Sequence, residues 1–110
     1  MLDYRLAPEH RFPSAVEDVV TVYRWLESTE KVDPARVVVA GDSAGGGLTL
    51  ALAVSVRDAS GQLPAALACL SPWTDLASTG ESVHTRARFD PCFRLEHLDL
   101  QAREHLNASH

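Results

Sequence analysis

Apolar positions along the chain change period several times, and each change marks an element. Residues 2–6 read as the tail of a strand running into a loop at residues 7–13, where Pro8 and Pro13 forbid a helix and stiffen the connection. Ser14 stands three residues before Glu17, a capping-box pattern that predicts a helix start. Val16, Val19, Val20, Tyr23 and Leu26 then recur at helical spacing, with Glu17, Asp18, Arg24 and Glu27 on the other faces, and the pattern fades around residues 28–31. Asp33-Pro34 predicts a turn into Val37-Val38-Val39-Ala40, a strand apolar on both faces and therefore expected to be central and parallel. A glycine-rich turn follows, then a helix over residues 48–56 that is apolar nearly all round, as expected of one buried between layers. Arg57, Asp58 and Gly61 end it. Residues 66–71 form a second apolar strand, stopped by Pro72. Residues 73–88 have no clear period and read as a loop. Asp90 and Pro91 fit the N-cap and first position of a last helix, which carries a narrow stripe of Leu95, Leu98, Ala102 and Leu106.

Strand, helix, strand, helix, strand in alternation predicts an α/β fold with right-handed crossovers. The expected architecture is a partial doubly wound parallel sheet with flanking helices. Two full strands and one fragment leave both sheet edges open, and open edges favour self-association. The expectation is that residues 1–110 form the central part of a larger domain. Such a partial sheet should be only marginally stable.

Composition removes several function classes. At 110 residues, 45% hydrophobic and 23% charged, the chain has the make-up of one ordinary globular domain. A formal net charge of -5 with no basic run argues against nucleic acid or an anionic membrane as partner. The apolar stretch 44–56 is too short to span a bilayer, and no secretory leader is evident at the N-terminus. Cys69 and Cys92 are too few for a disulfide framework and read as reduced thiols of a cytoplasmic protein. Glu96-His97 and Glu104-His105 lack the i, i+4 histidine spacing of a helical metal site, so no metal is expected.

The glycine-rich turn carries the chemistry. Gly41-Asp42-Ser43-Ala44-Gly45 is a G-x-S-x-G pentapeptide set between a β-branched run and an apolar helical run, the context that gives the motif its meaning. Such a turn holds its serine in a strained backbone conformation and lifts the hydroxyl clear of the sheet at the positive end of a helix. Small residues are expected at both flanks, Gly41 and Gly45, where a Cβ would collide with the neighbouring strand and helix.

Taken with Asp3-Tyr-Arg-Leu-Ala-Pro-Glu-His10, Phe12-Pro13, Tyr23-Arg-Trp-Leu26 and Leu70-Ser-Pro-Trp-Thr-Asp-Leu76, the pentapeptide resembles the α/β-hydrolase fold, and within it the hormone-sensitive-lipase-like esterases and lipases. The matches run in family order up to Leu76 and thin out beyond Ala77. The resemblance implies a serine-dependent carboxylic ester hydrolase acting on a small-molecule ester without a cofactor. Ser43 would be the nucleophile forming an acyl-enzyme. The Ala44 N–H would donate to the oxyanion, Gly41 and Gly45 would permit the elbow, and Asp42 would orient the turn. Tyr4, Arg5, Pro8 and Glu9 would lock the loop below the active face, with Arg5 and Glu9 either paired with each other or solvated rather than touching substrate.

A serine hydroxyl needs a base oriented by a carboxylate. The family places a His-Gly-Gly-Gly-type loop ahead of the tyrosine-arginine motif and its acid and histidine after later strands, and none of these motifs is readable in this chain. Asp75 follows the second strand, where some related hydrolases carry the acid, but the best-fitting family uses that aspartate structurally. His10 and His84 fall in loops, His97 and His105 on the exposed face of the last helix, and His110 at the end. None is placed as the base. Three readings stay open: the nucleophile-bearing part of a truncated esterase, a non-catalytic remnant that binds an acyl ligand or a partner, and one of two pieces that assemble into an enzyme.

Overall fold

Two parallel strands and the helices that lead into and out of them organise the computed structural model, which describes residues 1–106. The elements are α1 (Ser14–Ser28), β1 (Val38–Asp42), α2 (Ala44–Asp58), β2 (Ala66–Leu70), α3 (Glu81–Thr85) and α4 (Leu95–Leu106), with 3-10 turns at Pro34–Arg36 and Ala87–Phe89. β1 and β2 pair in parallel, Val38 opposite Ala66 through Asp42 opposite Leu70. α2 is the crossover that parallel pairing requires.

The core lies on one face of this sheet. Tyr23 of α1 meets Leu52 and Val56 of α2, with Val19, Val20, Val37 and Val39 packed around them. The Tyr23 hydroxyl donates to the Gln62 carbonyl at 2.8 Å, tying α1 to the loop before β2. Burial pushes the Tyr23 phenol above its ordinary pKa, with the Glu27 charge a smaller contribution. Among the described residues nothing covers the opposite face of the sheet: Val38 is 61% and Leu70 58% exposed. The strands, expected to be apolar and covered on both faces, are therefore covered on one. α2 likewise buries Gly46, Thr49, Leu52 and Val56 but leaves Leu50 and Val54 exposed. The buried Thr49 hydroxyl is satisfied within the helix by the Gly45 carbonyl at 2.9 Å.

Five local expectations are corrected. Residues 2–6 form no strand, because no ladder partner lies beside them among the described residues. Their polar groups go to α1 instead. The Arg5 N–H donates to Asp18 Oδ2 at 2.9 Å, and its guanidinium pairs with Asp18 at 2.8 Å and with Glu17 at 3.5 Å rather than with Glu9. Ser14 is the first residue inside α1, not its cap; Pro13 occupies that position and no side chain caps the helix. Asp90 closes a turn of its own, accepting the N–H groups of Cys92 and Phe93 at 2.8 and 2.9 Å, and α4 begins only at Leu95. The stretch read as a plain loop also contains α3. A radius of gyration of 15.6 Å exceeds the roughly 13 Å typical of 100 residues. The body is elongated, 48 Å in its longest dimension. No helix among the described residues is long and apolar enough to cross a membrane.

The Arg5–Asp18 tie has a pH signature. Hydrogen bonds from the Arg5 side chain, then from its backbone N–H, hold the Asp18 carboxyl below its ordinary value. A carboxyl depressed in the folded state contributes stability above its unfolded pKa of about 3.9, and that contribution is lost as pH falls through the folded value. The Asp18 carboxyl should titrate by NMR below about pH 3.9. Asp18→Asn should flatten the acid limb of the stability curve. An Asp18 midpoint at or above the unperturbed value would show that the tie does not form.

Candidate active site

The turn between β1 and α2 has the strained geometry its composition calls for. β1 ends at Asp42, α2 begins at Ala44, and Ser43 between them sits at φ 54° and ψ −116°. A non-glycine residue there lies outside the ordinary basins and persists only when its surroundings over-determine it. A Cβ at Gly41 would run into the Gly45 carbonyl oxygen and stand 2.8 Å from the Gly46 nitrogen, so β1 and the first turn of α2 touch backbone to backbone. The other expected flank behaves differently. A Cβ on Gly45 would meet nothing within 4 Å. The crowding falls instead on Gly46, where a Cβ would lie 2.9 Å from Pro72 Cα, and on Gly47, where it would meet the Trp73 carbonyl oxygen.

Hydrogen bonds fix the serine backbone. The Ser43 N–H donates to the Leu70 carbonyl at 2.9 Å, and the Ser43 carbonyl accepts the N–H groups of Gly47 at 3.1 Å and Trp73 at 2.9 Å. Its hydroxyl makes no capping bond and has no partner among the described residues, although the residue is half-buried. Ser43 stands at the positive end of α2, where the first N–H groups of the helix have no intrahelical acceptor. Ala44 contributes the first of these and is exposed. Asp42 is exposed as well, and its carboxylate has no hydrogen-bond partner among the described residues, so it does not orient the turn through its side chain.

A cavity of about 370 Å³ opens beside the elbow, bordered by Ala44, Gly47 and Leu48 of α2, Trp73, Phe12 and His105. His105 is half-buried rather than on an exposed face: its ring meets Phe12 edge-on at 6.0 Å, and its carbonyl accepts the Phe12 N–H at 2.7 Å. His10 lines the same cavity, while His84 and His97 are exposed on α3 and α4. His110 lies outside the described residues. No hydrogen bond joins any of the four described histidines to Ser43.

Asp75 points its carboxylate into its own loop. Oδ2 accepts the Thr79 N–H at 2.6 Å, the Thr79 hydroxyl at 2.9 Å and the Gly80 N–H at 3.3 Å. These bonds, that of the Thr79 hydroxyl foremost, hold its pKa below the ordinary range. That is a loop-fixing role. Among the described residues, no three His, Cys, Asp or Glu side chains cluster as metal ligands would. Sequence reasoning missed the part played by residues 70–73 in holding the elbow. The one signal for it was the run of glycine beyond the pentapeptide, at positions 46 and 47.

Comparison with known proteins agrees with this geometry. The profile of the α/β hydrolase fold family matches residues 1–109. An acetyl-hydrolase of Streptomyces hygroscopicus is 53% identical over 85 residues, which cover 77% of this chain and 28% of that protein. A carboxylesterase/phospholipase of Mycobacterium tuberculosis, LipF, is 36% identical over 102 residues, covering 93% of this chain and 27% of its own length. The crystal structure of an esterase from the bacterial hormone-sensitive lipase family superposes with a TM-score of 0.94 at 49% identity, covering 99% of this chain and 36% of that one. The chain thus spans little more than a quarter of the length of these sequence relatives. With a parallel strand pair, a serine elbow between strand and crossover helix, and a profile match along nearly its whole length, the chain belongs to the α/β-hydrolase fold family, beside the hormone-sensitive-lipase-like esterases.

Proposed function

We propose that this chain carries the nucleophile-bearing part of a serine carboxylic ester hydrolase. In this reading Ser43 Oγ attacks the carbonyl carbon of a small-molecule ester, the alcohol leaves, and water releases the acyl group from the serine. The observation that supports it is the state of Ser43: a positive φ, both backbone groups tied, and a hydroxyl at a helix N-terminus left without a partner among the described residues. The Ala44 N–H would donate to the oxyanion as the carbonyl becomes tetrahedral. Gly41 and Gly45 would serve as the elbow flanks, Gly41 by admitting the close approach of strand and helix. Relatives named as acetyl-hydrolase and carboxylesterase support an ester as the substrate class. The free thiols of Cys69 and Cys92 support a cytoplasmic location.

A fluorophosphonate probe should label Ser43 stoichiometrically, and Ser43→Ala should reduce labelling to background. Equal labelling of both chains would sink the assignment. Hydrolysis of p-nitrophenyl butyrate, assayed in parallel, separates the two functional readings. Labelling followed by turnover supports the hydrolase. Loss of all hydrolysis with labelling retained favours a remnant that holds an acyl group without releasing it, a reading supported by the lack of any bond between Ser43 and a histidine among the described residues.

Self-association through the sheet belongs to the same proposal. Among the described residues, β1 and β2 each have one unpaired edge, and the apolar face carrying Val38 and Leu70 is open. Sedimentation should show oligomers growing with concentration; a single monomeric boundary up to millimolar concentration would remove this part of the reading.

A further inference from the structure

The segment leaving β2 does more than end a strand. Ser71, at φ 43°, is a second serine in the left-handed region at this end of the sheet. Beyond it, Pro72 and Trp73 lie against the first turn of α2, where a Cβ on Gly46 or Gly47 would strike them. From this position the Trp73 N–H reaches the Ser43 carbonyl at 2.9 Å, sharing it with Gly47. The Leu70 carbonyl takes the Ser43 N–H. Residues 70–73 therefore hold the serine at both of its backbone polar groups, from outside the turn and outside the helix.

Helix α2 on its own supplies only one of these three bonds, the Gly47 N–H. One bond between neighbours in sequence does not over-determine a residue at φ 54° and ψ −116°. Resting on the reading of Ser43 as nucleophile, we propose that Trp73 is a positioning residue. Its main-chain N–H, admitted by the missing side chain of Gly47, holds the serine backbone so that Oγ points away from the sheet. The exit of β2 is then the outer half of the elbow. Gly47, two residues past the end of the G-x-S-x-G motif, then belongs to the elbow along with Gly41, as the position that admits Trp73.

Gly47→Ala separates this role from a merely structural one. Alanine favours the helix over glycine, so α2 should persist by far-UV circular dichroism. Its Cβ would displace Trp73. Two readouts follow: the exchange rate of the Trp73 amide by NMR, and the rate of fluorophosphonate labelling at Ser43. In Gly47→Ala the Trp73 amide should exchange at least about tenfold faster and Ser43 should label at least about tenfold more slowly, since small misplacements of a reacting group carry rate penalties of this order. Trp73→Pro, which deletes the donor, should slow labelling equally. Gly80→Ala is the control: its Cβ would make only ordinary contact with Val83 Cγ2 at 3.8 Å, and neither rate should move.

A Trp73 amide that exchanges like an unstructured one in the unaltered chain overturns the proposal. So does Gly47→Ala labelling at the unaltered rate with that amide still protected. If the unaltered chain takes no label, the nucleophile reading fails while amide exchange still decides the clamp: protection that disappears in Gly47→Ala supports it, and protection that survives refutes it. Should Gly47→Ala fail to fold, protection of the Trp73 amide in the unaltered chain and slowed labelling of Trp73→Pro support the clamp.

Discussion

Gly41→Ala should abolish the elbow rather than loosen it. The atoms that a Cβ would strike are the carbonyl group of Gly45 and the nitrogen of Gly46, all main chain and all in the first turn of α2. No rotamer change relieves such a collision, so either β1 slips from its register opposite Cys69 or α2 lifts from the sheet. Overpacking that side chains can absorb costs about 1–3 kcal/mol, and a backbone collision belongs at or beyond the top of that range. A domain of this size has only roughly 5–15 kcal/mol in total, and a thin core puts this one toward the lower end. Denaturant melts followed by circular dichroism should show the loss. Fluorophosphonate labelling of Ser43 should disappear with it. A Gly41→Ala chain that melts like the unaltered one would mean that strand and helix do not approach as closely as described. Gly45→Ala is the natural contrast, since its Cβ enters open space.

The second large effect is expected at Leu52. This side chain is 3% exposed and sits between Tyr23 and Val56, and no large side chain in the described residues is buried more completely than 2% exposure. Its neighbours Tyr23 and Val56 are themselves 5% and 4% exposed, so Leu52→Ala would leave its space at the centre of the small core rather than at its edge. Leucine-to-alanine changes in cores cost about 2–5 kcal/mol, and this site belongs in the upper half of that range. Tyr23→Phe, which only deletes the bond to the Gln62 carbonyl, should cost about 1 kcal/mol. Urea unfolding of both variants checks the order. If Leu52→Ala loses less than the tyrosine variant, the stabilising contacts lie elsewhere in the chain.

The central motif of this fold was legible because its signals are local. A β-branched run, a glycine, a serine and an apolar helical stretch lie side by side in the chain, and each is read from its neighbours. The same holds for β2, bounded by Pro64 and Pro72. Failures came where a partner distant in sequence decides the outcome. Residues 2–6 have strand composition, yet a strand exists only through its ladder, and Arg5 found Asp18 of α1 instead. Asp90 has the right neighbour for a helix cap, but its carboxylate is satisfied by the two N–H groups that follow, and the helix waits until Leu95. α3, five residues long, is too short to display a period. At the candidate site, the strained turn around Ser43 is legible from its motif, while the bonds that Leu70 and Trp73 make to it are not. A backbone carbonyl or N–H looks the same in every residue, so nothing in the sequence distinguishes one that is used.

That last property bears on how the site tolerates genetic change. The three bonds that hold Ser43 come from main-chain groups, so substitutions at Leu70 or Trp73, proline apart, leave the donors and acceptors in place. Drift can alter the side chains around the serine without disturbing its backbone. The vulnerable positions are those where no side chain fits, Gly41, Gly46 and Gly47, and there even a single methyl is too much. The elbow is robust to most mutations and brittle at three.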